Sequence, residues 1–333
     1  MIHGIDIHTH IVPEHFPTYA GSGRDVPWPS MAHDGCGHAH VMISGKNYRS
    51  VPQASWDAAG RIKDMDGMNI ARQTLSPMPE LLSYWLPLAD AQVMCRHLND
   101  TIAGMVASAP SRFSGLGAVP LQDVDAAVAE LEYVLRQLKL SGVEIGSNVN
   151  GVSIGDPRFN PFFSAVETWG AAVFVHALRP AGMDRLVGPA QLEQVVAFPG
   201  DIGLAAASLV TGGTLERHPK LRVALSHGGG AFAMMLPRLE HGWKAAPAIR
   251  EAIPRAPSEY ARRLYCDTLV YDPHALRHVL RTFGDDRVMI GTDYPFAIRD
   301  KDPHASIDAI TPDAALAAAL REGNARRFLG LGA

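Results

Sequence analysis

The sequence contains little cysteine: Cys36, Cys95 and Cys266 are the only three in 333 residues. Three widely spaced thiols do not suggest the paired disulfide framework of small secreted domains, and they are typical of a reducing compartment. No uninterrupted apolar run approaches the roughly 20 residues needed to cross a bilayer. The first residues also lack the basic and apolar regions of a signal peptide. These absences predict a cytoplasmic protein with no membrane partner.

The sequence also lacks a large excess of charge of either sign. Its 30 basic and 34 acidic residues give a net charge of −4, and the basic residues are scattered. Proteins that bind nucleic acids or membrane surfaces usually concentrate positive charge, so no nucleic acid partner is expected. Hydrophobic residues make up 47% of the chain, which is enough for a sizeable core.

Short β-rich runs alternate with longer helical patterns, and no internal repeat is present. Strands are predicted at Ile2–His8, Ala71–Leu75, Phe113–Val119, Gly142–Ile145, Ala171–His176, Leu221–Ser226, Leu264–Asp267 and Val288–Thr292. Helices are predicted at Asp90–Ala107, Asp123–Lys139, Asn160–Trp169, Asp201–Thr211 and Asp272–Phe283, after Gly230, and at Pro312–Leu329. Eight strands separated by helices predict an α/β fold, a (β/α)₈ TIM barrel, as a single domain over residues 1–333.

One segment interrupts this alternation. Residues 12–57 follow strand one, have no strong periodicity and are rich in Gly, Pro and His. In a barrel they would lie over the C-terminal face, which predicts a lid-like insertion. His33, Cys36, His38 and His40 cluster within it and could form a zinc knuckle, but they lack a CxxC anchor, so the lid is the favoured interpretation.

Metal-competent side chains end several predicted strands. His8 and His10 are two residues apart on strand one, so they share one face. His176, His227 and Asp293 each end a later apolar strand. Each alone could be a buried histidine or a capping residue. Because barrel active sites are built where strands end, their agreement predicts a metal site.

This arrangement resembles the amidohydrolase superfamily. The resemblance implies that His8, His10, His176 and Asp293 bind one divalent ion. Zinc is expected, and manganese and cobalt also suit such ligands. Strand four contains no lysine of the kind that bridges two metals in this superfamily. Its Glu144 could bridge a second metal or make structural hydrogen bonds.

Longer stretches resemble the 2-amino-3-carboxymuconate 6-semialdehyde decarboxylase family over nearly the whole chain. The specific pair of motifs lies at residues 227–232 (HGGGAF) and 291–296 (GTDYPF), and shorter ones lie at 45–49, 83–85 and 119–122. The resemblance implies a metal-dependent carboxy-lyase, a non-oxidative decarboxylase acting on this semialdehyde or a related unsaturated or aromatic carboxylic acid. A metal-dependent hydrolase or hydratase is the alternative, and a barrel that only binds metal is a third possibility.

The resemblance also implies roles for individual residues. His227 would act as general acid or base beside the metal ligand Asp293, and both would belong to the catalytic centre. Arg49, with Lys46 close by in sequence, would hold a substrate carboxylate, because guanidinium binds carboxylate through paired hydrogen bonds. Arg238 would reach into the neighbouring site of a homodimer. Each arginine could instead be a solvated surface charge.

The predicted wall of the pocket departs from the family pattern. The strand-five histidine is followed by Ala177–Pro180 where the family has Pro-Trp-Asp, and residues 182–195 contain no tryptophan. A second family arginine is absent near residues 245–246. Arg179 could supply a relocated carboxylate contact, and Trp85 could line the pocket or pack against the barrel rim. Because of these departures, the sequence does not identify the exact substrate.

Overall fold

The computed structural model describes residues 3–23, 25–35 and 37–332. Its strands are β1 (Ile5–Ile11), β2 (Pro29–His33), β3 (His38–Ile43), β4 (Lys46–Pro52), β5 (Arg72–Pro77), β6 (Phe113–Gly117), β7 (Gly142–Gly146), β8 (Asn148–Val149), β9 (Val152–Ser153), β10 (Ala172–His176), β11 (Arg222–Leu225), β12 (Tyr265–Asp267) and β13 (Val288–Met289). Its α-helices are α1 (Ala58–Gly67), α2 (Leu88–Ser108), α3 (Val124–Arg136), α4 (Asn160–Trp169), α5 (Phe198–Thr211), α6 (Thr214–Arg217), α7 (Phe232–Ala245), α8 (Pro247–Ala252), α9 (Pro257–Ala261), α10 (Pro273–Phe283), α11 (Pro303–Asp308), α12 (Ala314–Ala318) and α13 (Asn324–Leu329). Short 3₁₀ turns lie at Gln53–Ser55, Pro79–Leu82, Pro157–Phe159, Met183–Arg185 and His227–Gly229, and π-helical turns lie at Glu193–Ala197 and Ala319–Gly323.

The central sheet is the predicted barrel. Its strands pair in parallel in the order β1-β5-β6-β7-β10-β11-β12-β13. Backbone bonds join the last strand region to the first: Ile7 donates to the carbonyl of Ile290 at 2.9 Å, and His10 donates to that of Tyr294 at 2.7 Å. Each of the eight predicted strands overlaps one of these strands, although Ile2, the first residue predicted for strand one, lies outside the described residues.

A β-bulge in β1 sets the direction of the two histidines. The pairing of β1 with β5 shifts register between Asp6 and Thr9. Ile7 belongs to the apolar cluster inside the barrel. The next residue, His8, also lies inside, with its ring centroid 5.0 Å from that of Phe174. Because a bulge resets the alternation of side chains along a strand, apolar residues fill the barrel up to Ile7 and ligand-competent residues begin at His8.

The opposite end of the barrel is filled by the C-terminal helix. Phe328 and Leu329 of α13 belong to the same interior cluster as Ile5, Phe174 and Met289. The second and larger apolar cluster lies largely between the strands and the surrounding helices. The ligand-bearing ends of the strands therefore stand on a packed apolar base, which is the rigid support that a metal site requires.

The insertion after β1 is more regular than the sequence indicated. Strands β2, β3 and β4 form an antiparallel sheet within residues 12–57, where no regular element was predicted. Only alternate residues of this sheet, such as Ala39, Val41 and Val51, are buried. Helix α1, which follows the insertion and is capped by the Asp57 side chain, was also not predicted. The lid function of the insertion remains a prediction.

One helical segment has the length and apolar composition of a membrane span. It runs over Glu193–Thr211, and about half of its most apolar window is buried inside the protein. Its α5 portion packs against α7 and the His227–Gly229 turn. Core helices of soluble proteins pass the same test, so a single helix of this kind is weak evidence of a membrane span.

Candidate metal centre

Barrel strands bring the metal-competent side chains to one point. On β10, Ala172, Phe174 and His176 alternate along the strand and so share one face. The first two belong to the interior cluster, which places His176 at the ligand-bearing end of the barrel interior. Asp293 follows β13, and its backbone N–H donates to the carbonyl of His8 at 2.9 Å. The backbone bonds that complete the barrel therefore also assemble the site.

Four side chains form a compact group of possible ligands. One donor atom from each of His8, His10, His176 and Asp293 lies within 4.8 Å of all the others, and all four residues are buried. The Nε2 atoms of His8 and His10 are 3.1 Å apart. The Oδ1 atom of Asp293 lies 3.5 Å from the first and 3.2 Å from the second. In the part of the chain that the structure describes, no other such group of three or more His, Cys, Asp or Glu residues occurs.

The protonation of these imidazoles follows from their outer partners. Nδ1 of His8 lies 2.7 Å from the Asp267 carboxylate. Nδ1 of His10 lies 3.0 Å from the carbonyl oxygen of Pro77, and Nδ1 of His176 lies 2.9 Å from that of Ala177. Because none of these oxygens carries a proton to donate, each Nδ1 must be the donor. The Nε2 atom of each ring then faces the site, where a bound metal ion would replace any proton that the atom carries. The buried Nε2 of His176 has no hydrogen-bond partner among the described residues. A cation fits this set of donors, and a divalent metal ion is the natural occupant.

Burial and charge support the same protonation pattern. Burial lowers the pKa of His176 well below its usual value. Burial opposes ionisation of Asp293, but the hydrogen bond with His10 and the adjacent His8 hold the pKa of that carboxyl below its ordinary value. A deprotonated imidazole and an ionised carboxylate are the forms that bind a metal ion.

His227 lies beside these ligands on a sharp turn. Its ring centroid is 5.1 Å from that of His176 and 5.3 Å from that of His8. After β11, His227 adopts a backbone conformation in the left-handed region (φ 55°). The three glycines that follow it also have positive φ angles. A Cβ on Gly230 would lie 2.2 Å from the backbone oxygen of Pro199, so only glycine fits there. Burial, followed by the charge of His8, lowers the pKa of His227 to about 4.

Asp267 organises the centre, and the sequence analysis did not single it out. Its carboxylate accepts from Nδ1 of His8 at 2.7 Å, from the backbone N–H of His227 at 2.9 Å and from that of Gly228 at 2.6 Å. Burial raises the pKa of Asp267, but these donors outweigh it and the pKa is lowered overall. The signal was present, because Asp267 ends predicted strand seven just as the other polar residues end theirs.

The cavities beside the ligands are mainly apolar. One of about 490 Å³ reaches His227 and is lined by residues that include Val195, Leu269, Tyr271 and Ile298. A much smaller one, of about 10 Å³, is lined by Arg49 together with the ligands His176 and Asp293. The guanidinium of Arg49 lies 4.5 Å from the ring centroid of Phe296. Of the two, only the larger cavity, beside His227, has room for a flat unsaturated acid.

The other residues predicted to contact substrate do not line these two cavities. Arg179 stacks on Trp85 with its guanidinium carbon 3.3 Å from a ring centroid, and both line a separate cavity of about 190 Å³. Lys46 is exposed at the start of β4, next to the hairpin turn. Arg238 is exposed on α7. Their contact with substrate remains a prediction.

Two predicted alternatives concern further metal sites. Glu144 is buried and accepts a hydrogen bond from the Ser76 hydroxyl at 2.6 Å, while its Oε1 has no partner among the described residues, so its role remains a prediction. In the insertion, Nε2 of His33 bonds the carbonyl of Glu14, and Nδ1 of His40 bonds the Ser50 hydroxyl. Cys36 of the proposed knuckle lies outside the described residues.

A parallel barrel that carries three imidazoles and a carboxylate at one end of its strands defines the class of metal-dependent barrel enzymes. The model of the amidohydrolase family matches residues 5–331. The chain therefore belongs to this amidohydrolase family, as its sequence motifs indicated.

Several relatives and solved structures with similar folds are named as decarboxylases. The 2-amino-3-carboxymuconate-6-semialdehyde decarboxylase of Dictyostelium discoideum is 37% identical over 98% of this chain and 91% of its own length. A structure of 2,6-dihydroxybenzoate decarboxylase complexed with 2,6-dihydroxybenzoate has a TM-score of 0.71 and 26% identity over 81% of this chain and 87% of that one. The 5-carboxyvanillate decarboxylase of Novosphingobium aromaticivorans, complexed with manganese and 4-hydroxy-3-methoxy-5-nitrobenzoic acid, has a TM-score of 0.75 and 25% identity over 84% of this chain and 82% of that one. These comparisons confirm the predicted resemblance to metal-dependent decarboxylases.

Proposed function

We propose that this protein is a metal-dependent non-oxidative decarboxylase of an unsaturated or aromatic carboxylic acid, with a 2-amino-3-carboxymuconate 6-semialdehyde as the first candidate substrate. The observation that carries the proposal is the convergence of one potential ligand atom each from His8, His10, His176 and Asp293, in which Nε2 of His176 has no hydrogen-bond partner among the described residues. Relatives with decarboxylase names support the reaction. The apolar cavity beside His227 supports a conjugated substrate, which can take up the electron pair left by CO₂.

The metal ion would be held by His8, His10, His176 and Asp293. We infer zinc, which three imidazoles and one carboxylate suit, and the manganese of the 5-carboxyvanillate decarboxylase makes that ion the second candidate. When bound, the ion polarises a substrate oxygen and lowers the pKa of water that contacts it.

The chain's own residues supply binding and proton transfer. Arg49 binds a substrate carboxylate through its guanidinium, which holds the acid next to His176 and Asp293. A pKa of about 4 leaves His227 neutral at pH 7, so it can take up a proton from the solvent. It then passes that proton to the carbon that bears the departing carboxylate. The bond between that carbon and the carboxylate carbon breaks, its electron pair remains with the organic product, and CO₂ leaves.

The direct test is CO₂ release from 2-amino-3-carboxymuconate 6-semialdehyde by the metal-loaded protein. Release that disappears after chelation and returns when the metal is restored would support the proposal. Product that has gained water without losing CO₂ would favour the hydrolase or hydratase alternative. A well-folded, metal-loaded protein that releases no CO₂ from this acid or from aromatic acids would refute the decarboxylase.

We further propose a homodimer in which Arg238 completes the site of the partner subunit. Arg238 is exposed on α7. Met234, one turn earlier on the same helix, is 74% exposed, and a large exposed apolar side chain suits an interface. We also place the protein in the cytoplasm, because Cys95 and Cys266 are buried free thiols, which a reducing compartment preserves.

A mixed dimer tests the shared site. Arg238→Ala and His227→Ala homodimers should both be inactive. A heterodimer purified through two different tags should recover about half of the wild-type activity, because one of its two sites then combines an intact His227 with the intact Arg238 of the other subunit. An inactive heterodimer would show that Arg238 acts within its own chain, and an active Arg238→Ala homodimer would remove its role.

A further inference from the structure

The side chain of Arg61 is fully buried next to the metal centre, and the proposed reaction gives it no role. Arg61 lies on α1, the helix that follows the insertion. Burying a charged group is strongly unfavourable unless hydrogen bonds and opposite charges compensate for it. The partners of Arg61 therefore indicate why the fold keeps a charge at this position.

The hydrogen bonds of Arg61 join three segments of the chain. Nη2 donates to the carbonyl of His10 at 2.5 Å. Nη1 donates to the side-chain oxygens of Thr9 and Gln73 at 3.3 Å and 3.2 Å. Nε donates to the carbonyl of Ala54, at the end of the insertion, at 3.2 Å. The planar fork of a guanidinium can hold such a set of acceptors at once, which the single ammonium of a lysine cannot do.

The carbonyl of His10 needs this donor because the residues beside it cannot supply one. The N–H of His10 donates to the carbonyl of Tyr294 at 2.7 Å, and in a strand the C=O of a residue points to the same side as its N–H. The next residue along is a proline, which has no N–H. The N–H of Phe296 donates instead to the carbonyl of Asp293 at 3.0 Å. Arg61 therefore supplies the donor that the ladder lacks at this point.

Helix α1 also holds the residue next to the ligand Asp293. The guanidinium carbon of Arg61 lies 4.8 Å from the ring centroid of Tyr294. The Tyr294 hydroxyl donates to the carboxylate of Asp64 at 2.7 Å. Arg61 and Asp64 are three residues apart and share one face of the helix, so together they hold this ring by its face and by its hydroxyl.

We propose that Arg61 is a positioning residue that sets the separation of the metal ligands His10 and Asp293. It acts on the backbone of the first ligand and on the neighbour of the second, and their atoms Nε2 and Oδ1 are 3.2 Å apart. This inference rests on the proposed function, because it takes both residues as ligands of one ion. Without the guanidinium, the His10 carbonyl would be buried and unpaired, so the end of β1 would shift towards another partner. Such a shift changes the geometry offered to the ion even when the fold is kept.

Titration with cobalt(II) tests the proposal without requiring turnover. Cobalt suits the same ligands as zinc, and the visible absorption of the bound ion reports the geometry of those ligands. The proteins are wild type, Arg61→Lys and Arg61→Met, each loaded with cobalt after other metals are removed. Arg61→Met should bind cobalt about 10–100-fold more weakly, the usual effect of losing a group that orients a metal ligand, and its absorption band should change. Arg61→Lys, which keeps the charge and one donor group, should recover part of the affinity.

Arg112→Lys and Arg112→Met are the matched controls. Arg112 is a partly buried arginine that donates to the carbonyls of Ala71 and Ile70 and to the carboxylate of Asp66. The two carbonyls lie just before β5, at the end of that strand away from the ligands. These variants should lower the midpoint of denaturant unfolding, as the Arg61 variants do, and keep the wild-type cobalt affinity and absorption. The comparison separates an effect on the ligands from a general loss of stability.

Three results would overturn the positioning role. The first is a folded Arg61→Met protein with the cobalt affinity and absorption of wild type. The second is an equal loss of both in the Arg112 variants. If Arg61→Met does not fold, Arg61→Lys decides, and wild-type affinity and absorption in that variant would be the third, because a lysine cannot hold the same set of acceptors.

The outcomes also separate this inference from the proposed function. If the wild type releases CO₂ but the Arg61 variants bind cobalt as wild type does, only the positioning role fails. If cobalt affinity depends on Arg61 but no acid loses CO₂, the decarboxylase fails and the positioning role stands. A wild type that binds no divalent ion would overturn both.

Discussion

Replacing His227 with alanine should lower the rate of CO₂ release by about 10²–10⁴-fold and leave the metal ion bound. The imidazole lines the cavity beside the ligands but is not one of the four grouped donors. Removing it takes away proton transfer and keeps the three Nε2 atoms and Asp293. The measurements are the rate at saturating substrate and the metal content per chain by mass spectrometry.

The matched control for this variant is His274→Ala, which removes an exposed histidine on α10. It should behave as wild type in both measurements. A His227→Ala protein as active as wild type would contradict the acid–base role. A His227→Ala protein that also loses its metal would instead make His227 a ligand.

Replacing Asp267 with asparagine should weaken metal binding by about 10–100-fold, the usual effect of removing a partner that orients a metal-binding histidine. It should also lower the free energy of unfolding by about 3 kcal/mol. The Asp267 carboxylate accepts from His8, His227 and Gly228 at once. An amide has one accepting oxygen, and its NH₂ group would face N–H groups that also donate. Metal titration and denaturant unfolding measure the two effects separately.

Asp285→Asn provides the comparison, since Asp285 is exposed on the loop before β13. It should change neither measurement. If Asp267→Asn bound metal as tightly as wild type, then the orientation of His8 would not depend on this carboxylate.

Several barrel strands could be predicted because they combine a buried apolar run with a polar residue at the end. Strand β10 is an example, since four buried apolar residues precede His176. Helix α1 gave no such signal, because its buried residues are Arg61 and Met65. Arg61 is fully buried and donates to the carbonyl of His10, so a charge occupies the face where the period-3.6 pattern requires apolar residues. The sheet of the insertion was missed for a related reason, since few of its residues are buried.

The metal ligands could be predicted from the sequence, and two of their most important neighbours were not. The ligands lie at strand ends, where local pattern and chain position coincide. Asp267 acts through a hydrogen bond with His8, a contact between distant parts of the sequence. Arg61 lies on a helix and acts on His10 through the backbone carbonyl of that ligand. Contacts of this kind arise from the closed ring of strands, so they become visible only in three dimensions.

The backbone bonds that join β1 to residues 290–294 also govern when the site can exist during synthesis. His8 and His10 leave the ribosome early, and Asp293 leaves it only after the other barrel strands. A nascent chain therefore displays two of the ligands long before it can enclose an ion. Tight binding must wait for the ring to close, so the metal ion is acquired by the closed barrel and not by the growing chain.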